Sequence, residues 1–359
     1  MSNNQQHVST VVDKLFRQKT DNYIFVYTPP KVGSTTLVSS LRLSLGNEFS
    51  VIHIHDEVML HVLTGITNVS INDIIDHLSS IGKKVYVIDV FRTPVERKMS
   101  EFFEKVSPLH FNNSEEHINK YSIKRITDRF NKLFPYLENG DHFMDKYNIP
   151  MPAEFDFEKK YLIHLRENIT YIKLRLCDST LWGNILSTIF GKDVVIVTDY
   201  ESCQKVIGKL YAKFKTEYKL PVNFVELLEN CKYLRFYYSE SERNEYIKKW
   251  TLHVDEHFTP FTTDEYNFYI KLCLENQHIN DIQADHYIDN GCSCVLCSNK
   301  RRIQFQIAKN GGKVERIIHT ELVQERNQKI SNKIVKINKQ MNVKKQSKFV
   351  PRQFNINLS

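Results

Sequence analysis

The chain contains no run of about 18 consecutive apolar residues, the length a helix needs to cross a bilayer, so no transmembrane segment is expected. Its opening residues, MSNNQQHVSTVV, are polar and lack the charged-then-apolar order of a secretory leader, so a cytoplasmic setting is expected. Cysteine is scarce and odd in number, with seven residues. Four of them, Cys177, Cys203, Cys231 and Cys273, are scattered through strand-like or helix-like segments, which argues for free thiols in a reducing compartment. No internal repeat is visible.

Charge is also missing from most of the chain. The formal net charge is +7, yet residues 324–359 carry nine Lys or Arg against one acidic residue, so the rest is close to neutral at about −1. The basic character belongs to a tail, expected from about residue 330 to be a mobile arm. With 359 residues, 41% hydrophobic content and 12% aromatics, a sizeable core is easily filled.

Strand and helix signals alternate over the first third. Strands are expected at 23–28, 49–54 and 84–91, and helices at 35–45, 72–80 and 93–106, the last with Pro94 in its first turn. That alternation argues for a parallel sheet with helices on both faces. The polar and aromatic stretch 107–157 reads as an insertion over the top of the sheet. Further strands are expected at 170–176 and 194–198, and residues 201–285 read as largely helical.

The segment YTPPKVGSTTL follows the first strand and opens the first helix. A helix N-terminus offers unpaired N–H groups and partial positive charge, so an anion is stabilised there. Gly33 lets the backbone come close, Lys31 adds a full charge, and Ser34, Thr35 and Thr36 supply hydroxyls. The triphosphate loop G-x-x-x-x-G-K-[ST] does not fit: one Gly is present, and the Lys precedes it.

The order P-K-x-G-[ST]-[ST], from Pro30 through Lys31, Val32 and Gly33 to Ser34 and Thr35, resembles the 5′-phosphosulfate loop of the sulfotransferases. That family has a second element, an Arg at the end of a later strand and a Ser eight residues on, both holding the donor's 3′-phosphate. Here Arg92 ends the strand at 84–91 and Ser100 stands eight residues further, within RTPVERKMSEFF. The stretch closely resembles the carbohydrate sulfotransferases, and the resemblance covers residues 22–106. It implies a P-loop-NTPase-like parallel sheet flanked by helices, with a helical insertion and a C-terminal extension, in one α/β domain over residues 1–323. It also implies 3′-phosphoadenosine 5′-phosphosulfate as donor, a carbohydrate hydroxyl as acceptor and no catalytic metal. Arg97 has a plainer expected role, an i, i+4 pair with Glu101.

An acceptor hydroxyl needs a base. The second strand ends VIHIHDE, and the H-x-H resembles uronyl 2-O-sulfotransferases and related capsular polysaccharide enzymes, where a His is the base. His55 is nearest the strand's carboxyl end, where ligands bind in open α/β sheets. Imidazole titrates in the right range. Glu57 is the alternative base, His53 is a core candidate, and Asp56 suits a helix cap.

Residues 286–302 form a Cys-rich knot. His286, Cys292, Cys294 and Cys297 are four soft ligands for a structural zinc, although C-x-C-x-x-C lacks the paired spacing of a zinc knuckle. In the tail, Ile330, Ile334, Ile337 and Met341 fall at helical spacing beside lysines, which suits an anionic membrane or a nucleic acid. Two other functions are compatible with these features: a catalytically silent nucleotide-binding module with a basic partner-binding arm, and a nucleotide or small-molecule kinase.

Overall fold

A computed structural model describes residues 3–16, 20–111, 113–197, 206–251, 256–272 and 295–314. Five strands form one sheet: β1 (Asn22–Tyr27), β2 (Phe49–Ile54), β3 (Lys84–Phe91), β4 (Tyr161–Arg166) and β5 (Ile169–Arg175). Their order is β2-β1-β3-β5-β4, parallel throughout except for the antiparallel edge pair β4–β5. The inner strands are largely apolar because both faces of the sheet are covered, although β3 buries Asp89 and β5 buries Lys173 and Arg175.

One face takes Tyr23, Phe25 and Tyr27 of β1 with Val85 and Val87 of β3. Against it lie α1 (Asn3–Leu15), α4 (Ile71–Ser80) and α5 (Pro94–Glu104). The other face takes Ile24, Val26, Ile88 and Val90, packed against α2 (Ser34–Leu45) and the helix Trp182–Phe190. Between α2 and α4, α3 (Glu57–Thr64) starts directly after Asp56. The start of α4 follows from local chemistry: the Ser70 hydroxyl accepts from the Asp73 amide while Asp73 accepts from the Ser70 amide, a reciprocal capping box.

Two expectations need correction. Residues 194–197 form no strand. Their amides are taken by serine hydroxyls, Val195 by Ser44 at 3.0 Å and Val197 by Ser40 at 2.9 Å, so this segment is laced to α2 and not to the sheet. The missing strand is β4, which pairs with β5 through a two-residue turn at Glu167 and Asn168. The stretch 107–157 does reach the carboxyl ends of the strands: Tyr147 donates its hydroxyl to Tyr27 O at 2.6 Å, at the end of β1.

The connectivity locates a crevice. From β1 the chain moves to β2 on one side, and from β3 it moves to β4 and then β5 on the other. The carboxyl ends of β1 and β3 are therefore the place where strand order reverses, and open α/β sheets bind ligands there.

Candidate functional site

The turn between β1 and α2 lies at that crevice. Its conformation is unusual: Lys31 has φ 66° and Gly33 has φ 87°. At Gly33 a side chain is excluded twice, by the left-handed backbone and by space, because an added Cβ would stand 2.8 Å from Leu176 Cδ1. A non-glycine residue in the left-handed region costs on the order of 1 kcal/mol, so the fold must hold Lys31 there. Arg92 does so, donating from Nη1 to Lys31 O at 2.8 Å. This bond ties the loop after β1 to the loop after β3.

Beyond Gly33, α2 begins with Ser34, Thr35 and Thr36 and has no acidic residue in its first turn. Its first amides therefore meet no carboxylate of their own turn, which keeps the helix end electropositive. The Lys31 ammonium pairs instead with Glu104 at the end of α5, Nζ to Oε2 at 2.9 Å. Both side chains retain contact with solvent, at 20% and 38% exposure.

Of the second motif, Arg92 meets the turn and Ser100 does not. Ser100 is buried in α5 and bonds neither Arg92 nor the loop among the described residues. The expected Arg97–Glu101 pair is also corrected. Arg97 turns inward, donating from Nη2 to Glu138 at 3.1 Å and from Nη1 to the Gly140 carbonyl. Glu101 accepts from the Glu138 amide at 3.0 Å, and burial raises its pKa. The insertion thus takes both partners of the expected i, i+4 pair.

His55 follows β2. Its Nδ1 lies 2.7 Å from Thr28 O, and a carbonyl can only accept, so Nδ1 carries the proton and Nε2 is the lone-pair nitrogen. Its own carbonyl accepts from His142 Nε2 at 2.7 Å. Burial is the main cause that pulls the His55 pKa down to about 4, with the His142 ring and the Lys31 ammonium adding to it. His55 is therefore neutral near pH 7, fixed in one tautomer and within electrostatic reach of Lys31, and it is a weaker base than the unperturbed imidazole expected from the sequence. His53 is buried beside it, with ring centroids 4.5 Å apart. Glu57 is engaged on both oxygens, accepting from Tyr27 Oη at 3.0 Å and facing Lys146 Nζ at 3.7 Å.

A second polar cluster went unnoticed in the sequence. Asp89 of β3 and Lys173 of β5 are register partners, joined Nζ to Oδ2 at 2.7 Å. Lys173 also pairs with Asp141 of the insertion, which accepts from Tyr237 Oη at 3.0 Å. All three charged side chains are sealed from solvent, and burial is the main cause that raises the Asp141 pKa. The available signal was a lone Asp in VYVIDVF and, in TYIKLRL, Lys173 with Arg175, charges of opposite sign inside largely apolar strands.

Of the expected zinc ligands, His286, Cys292 and Cys294 lie outside the described residues. Cys297 falls in the helix Val295–Lys309, with its side chain likewise outside the description. The basic tail is also outside. Among the described residues no helix is long and apolar enough to cross a membrane. No family model, no curated protein and no solved structure matches this chain.

Proposed function

We propose that the protein is a sulfotransferase that moves a sulfuryl group from 3′-phosphoadenosine 5′-phosphosulfate to a hydroxyl, with a carbohydrate as the acceptor class. The observation that carries this reading is the Arg92–Lys31 bond, which joins the two motifs of the resemblance at the point where strand order reverses. The P-loop-like identity of the turn belongs to the same proposal.

In this reading the 5′-phosphosulfate lies against the amides of Gly33, Ser34 and Thr35 at the start of α2. Arg92 has used one of its five N–H donors on Lys31 O, and the others are directed to the donor's 3′-phosphate. Ser100 joins it only if the first turns of α5 move. His55 Nε2 takes the proton of the acceptor hydroxyl. The acceptor oxygen forms its bond to sulfur as the bond from sulfur to the bridging phosphate oxygen breaks. Lys31 and the helix amides neutralise the charge that develops on that oxygen. Lys31 must leave Glu104 to do so, and the partial exposure of this pair permits the exchange.

The test is transfer of radiolabelled sulfate from the donor to a panel of polysaccharides. Wild type is expected to label at least one of them. Lys31→Ala is expected to lower turnover by about 10²–10³ or more, the range for losing one preorganised electrostatic stabiliser. His55→Ala is expected to lose turnover and keep donor binding. Unchanged transfer by either variant removes the role given to that residue.

A further inference from the structure

A basic groove lies on the insertion. The helix Ile123–Leu133 buries Ile126, Phe130 and Leu133 in the larger core. One flank of it contributes Arg125, Arg129 and Lys132 to a groove of about 510 Å³ flanked by Phe111 and Phe261. The cations are held by aromatic rings. Arg125 lies 3.8 Å from the Tyr121 ring centre, Arg129 5.3 Å from Phe111 and 5.6 Å from Tyr269, and Lys132 5.6 Å from both Phe258 and Phe261. Arg129 is further anchored by donating to His110 O at 2.8 Å. Rings under the cations reduce the side-chain entropy lost when an anion binds.

These charges are not spent on carboxylates. Arg125, Arg129 and Lys132 make no ion pair among the described residues. The one carboxylate that lines the groove, Asp128, is already paired with Lys124 at 3.3 Å. Glu265, whose charge Lys132 feels, is engaged by the Thr262 amide at 2.7 Å. Three positive charges therefore remain for a ligand, strung along one side of a helix. At 1.5 Å rise per residue they are spaced by roughly 6 and 4.5 Å along the axis.

That repeat suits a linear chain bearing one negative charge per unit of about sugar-ring size. Single-stranded nucleic acid fits less well, because it needs open ring faces for its bases to stack on. Here the rings of Phe111, Tyr121 and Phe261 already carry cations. We propose that this groove binds a linear acidic polysaccharide, with carboxylates on neighbouring sugars meeting Arg125, Arg129 and Lys132. For its biological use the proposal rests on the transferase reading, since it makes the acceptor an anionic glycan. The binding itself needs no donor.

The experiment is fluorescence anisotropy of a labelled oligogalacturonate titrated with the full chain, beside a neutral oligoglucan and an oligouridylate. The variant is Arg125→Gln with Lys132→Gln, which spares the Arg129 anchor. The oligogalacturonate is expected to bind, more weakly as salt rises. The neutral chain should not bind, and the oligouridylate should bind less tightly. The double variant should weaken oligogalacturonate binding by about tenfold or more, since a charge-assisted hydrogen bond contributes about 1.5–3 kcal/mol and 1.4 kcal/mol is tenfold. Its thermal unfolding should match wild type. Absence of oligogalacturonate binding, equal binding by the variant, or preference for the oligouridylate overturns the proposal. Loss of the groove with intact binding of 3′-phosphoadenosine 5′-phosphate would leave the transferase reading standing, and the reverse result would leave the groove.

Discussion

Two lysines near the carboxyl ends of β1 and β5, the strands on either side of β3, meet carboxylates in this protein, and they differ in one physical respect. Lys173 is sealed, with Asp89 and Asp141 on its ammonium and Tyr237 closing the far side of Asp141. Lys31 meets Glu104 at the same kind of distance, but with solvent at hand. A sealed ion pair cannot exchange partners without leaving a bare charge in a low dielectric, so it serves the fold. A half-open pair exchanges its carboxylate for another anion at little cost, so it is available to a ligand. Burial, more than residue type, separates the structural lysine from the candidate catalytic one.

Substitutions should split along the same line. The largest effect on stability is expected from Lys173→Met, which leaves Asp89 and Asp141 buried without their cation. Removing one partner of a buried pair costs about 3–5 kcal/mol, readable as an early midpoint in urea unfolding. Lys31→Ala should do the opposite, abolishing anion binding while the urea midpoint moves little. If Lys31→Ala unfolds the protein as readily as Lys173→Met, the two lysines are not distinct in kind.

Acid should come next. Burial is the leading cause that lowers the pKa of His55 and His142 to about 4 and of His110 to about 3. The unfolded chain has these groups near 6.5, so between pH 6.5 and about 4 it binds protons that the folded chain refuses. Their contribution is therefore fully present above pH 6.5 and is lost as pH falls toward 4 and 3. Urea midpoints measured from pH 7 to pH 4 should fall steadily. His110→Phe should flatten part of that slope, because His110 stacks on Phe102 at 4.6 Å and a phenyl ring fills the same slot. An unchanged slope would mean that His110 is charged in the fold.

The smallest effect expected is a gain. Glu104→Gln removes the carboxylate that competes for Lys31 and should tighten binding of 3′-phosphoadenosine 5′-phosphate by a few-fold, as fits a partly exposed pair worth under about 1 kcal/mol. Weaker binding in that variant would show that Glu104 assists the anion.

The parallel strands β1, β2 and β3 were readable because each is an apolar run bounded by turn residues, and the structure puts them within a residue of where periodicity does. β4 was not. It is an edge strand whose burial alternates irregularly, and its turn has Glu167 at φ 52° where a Gly or Asn-Gly pair would have announced a hairpin. Residues 194–197 misled in the other direction, since their apolar run lies along α2 and the deciding partners, Ser40 and Ser44, are some 150 positions away. In the site, Gly33 and Arg92 could be picked out locally. The Lys31–Glu104 pair, 73 residues apart, and the His55–Thr28 bond that sets the imidazole tautomer could not, because both depend on how strand ends meet.

Calorimetric titration of the full chain with 3′-phosphoadenosine 5′-phosphate, set against ATP with magnesium, tests the assignment of the β1–α2 turn most directly. Binding of the former that Lys31→Ala and Arg92→Ala each abolish, with none for ATP, is the result expected. Tight ATP binding that needs magnesium, or indifference to the adenosine bisphosphate, would contradict it.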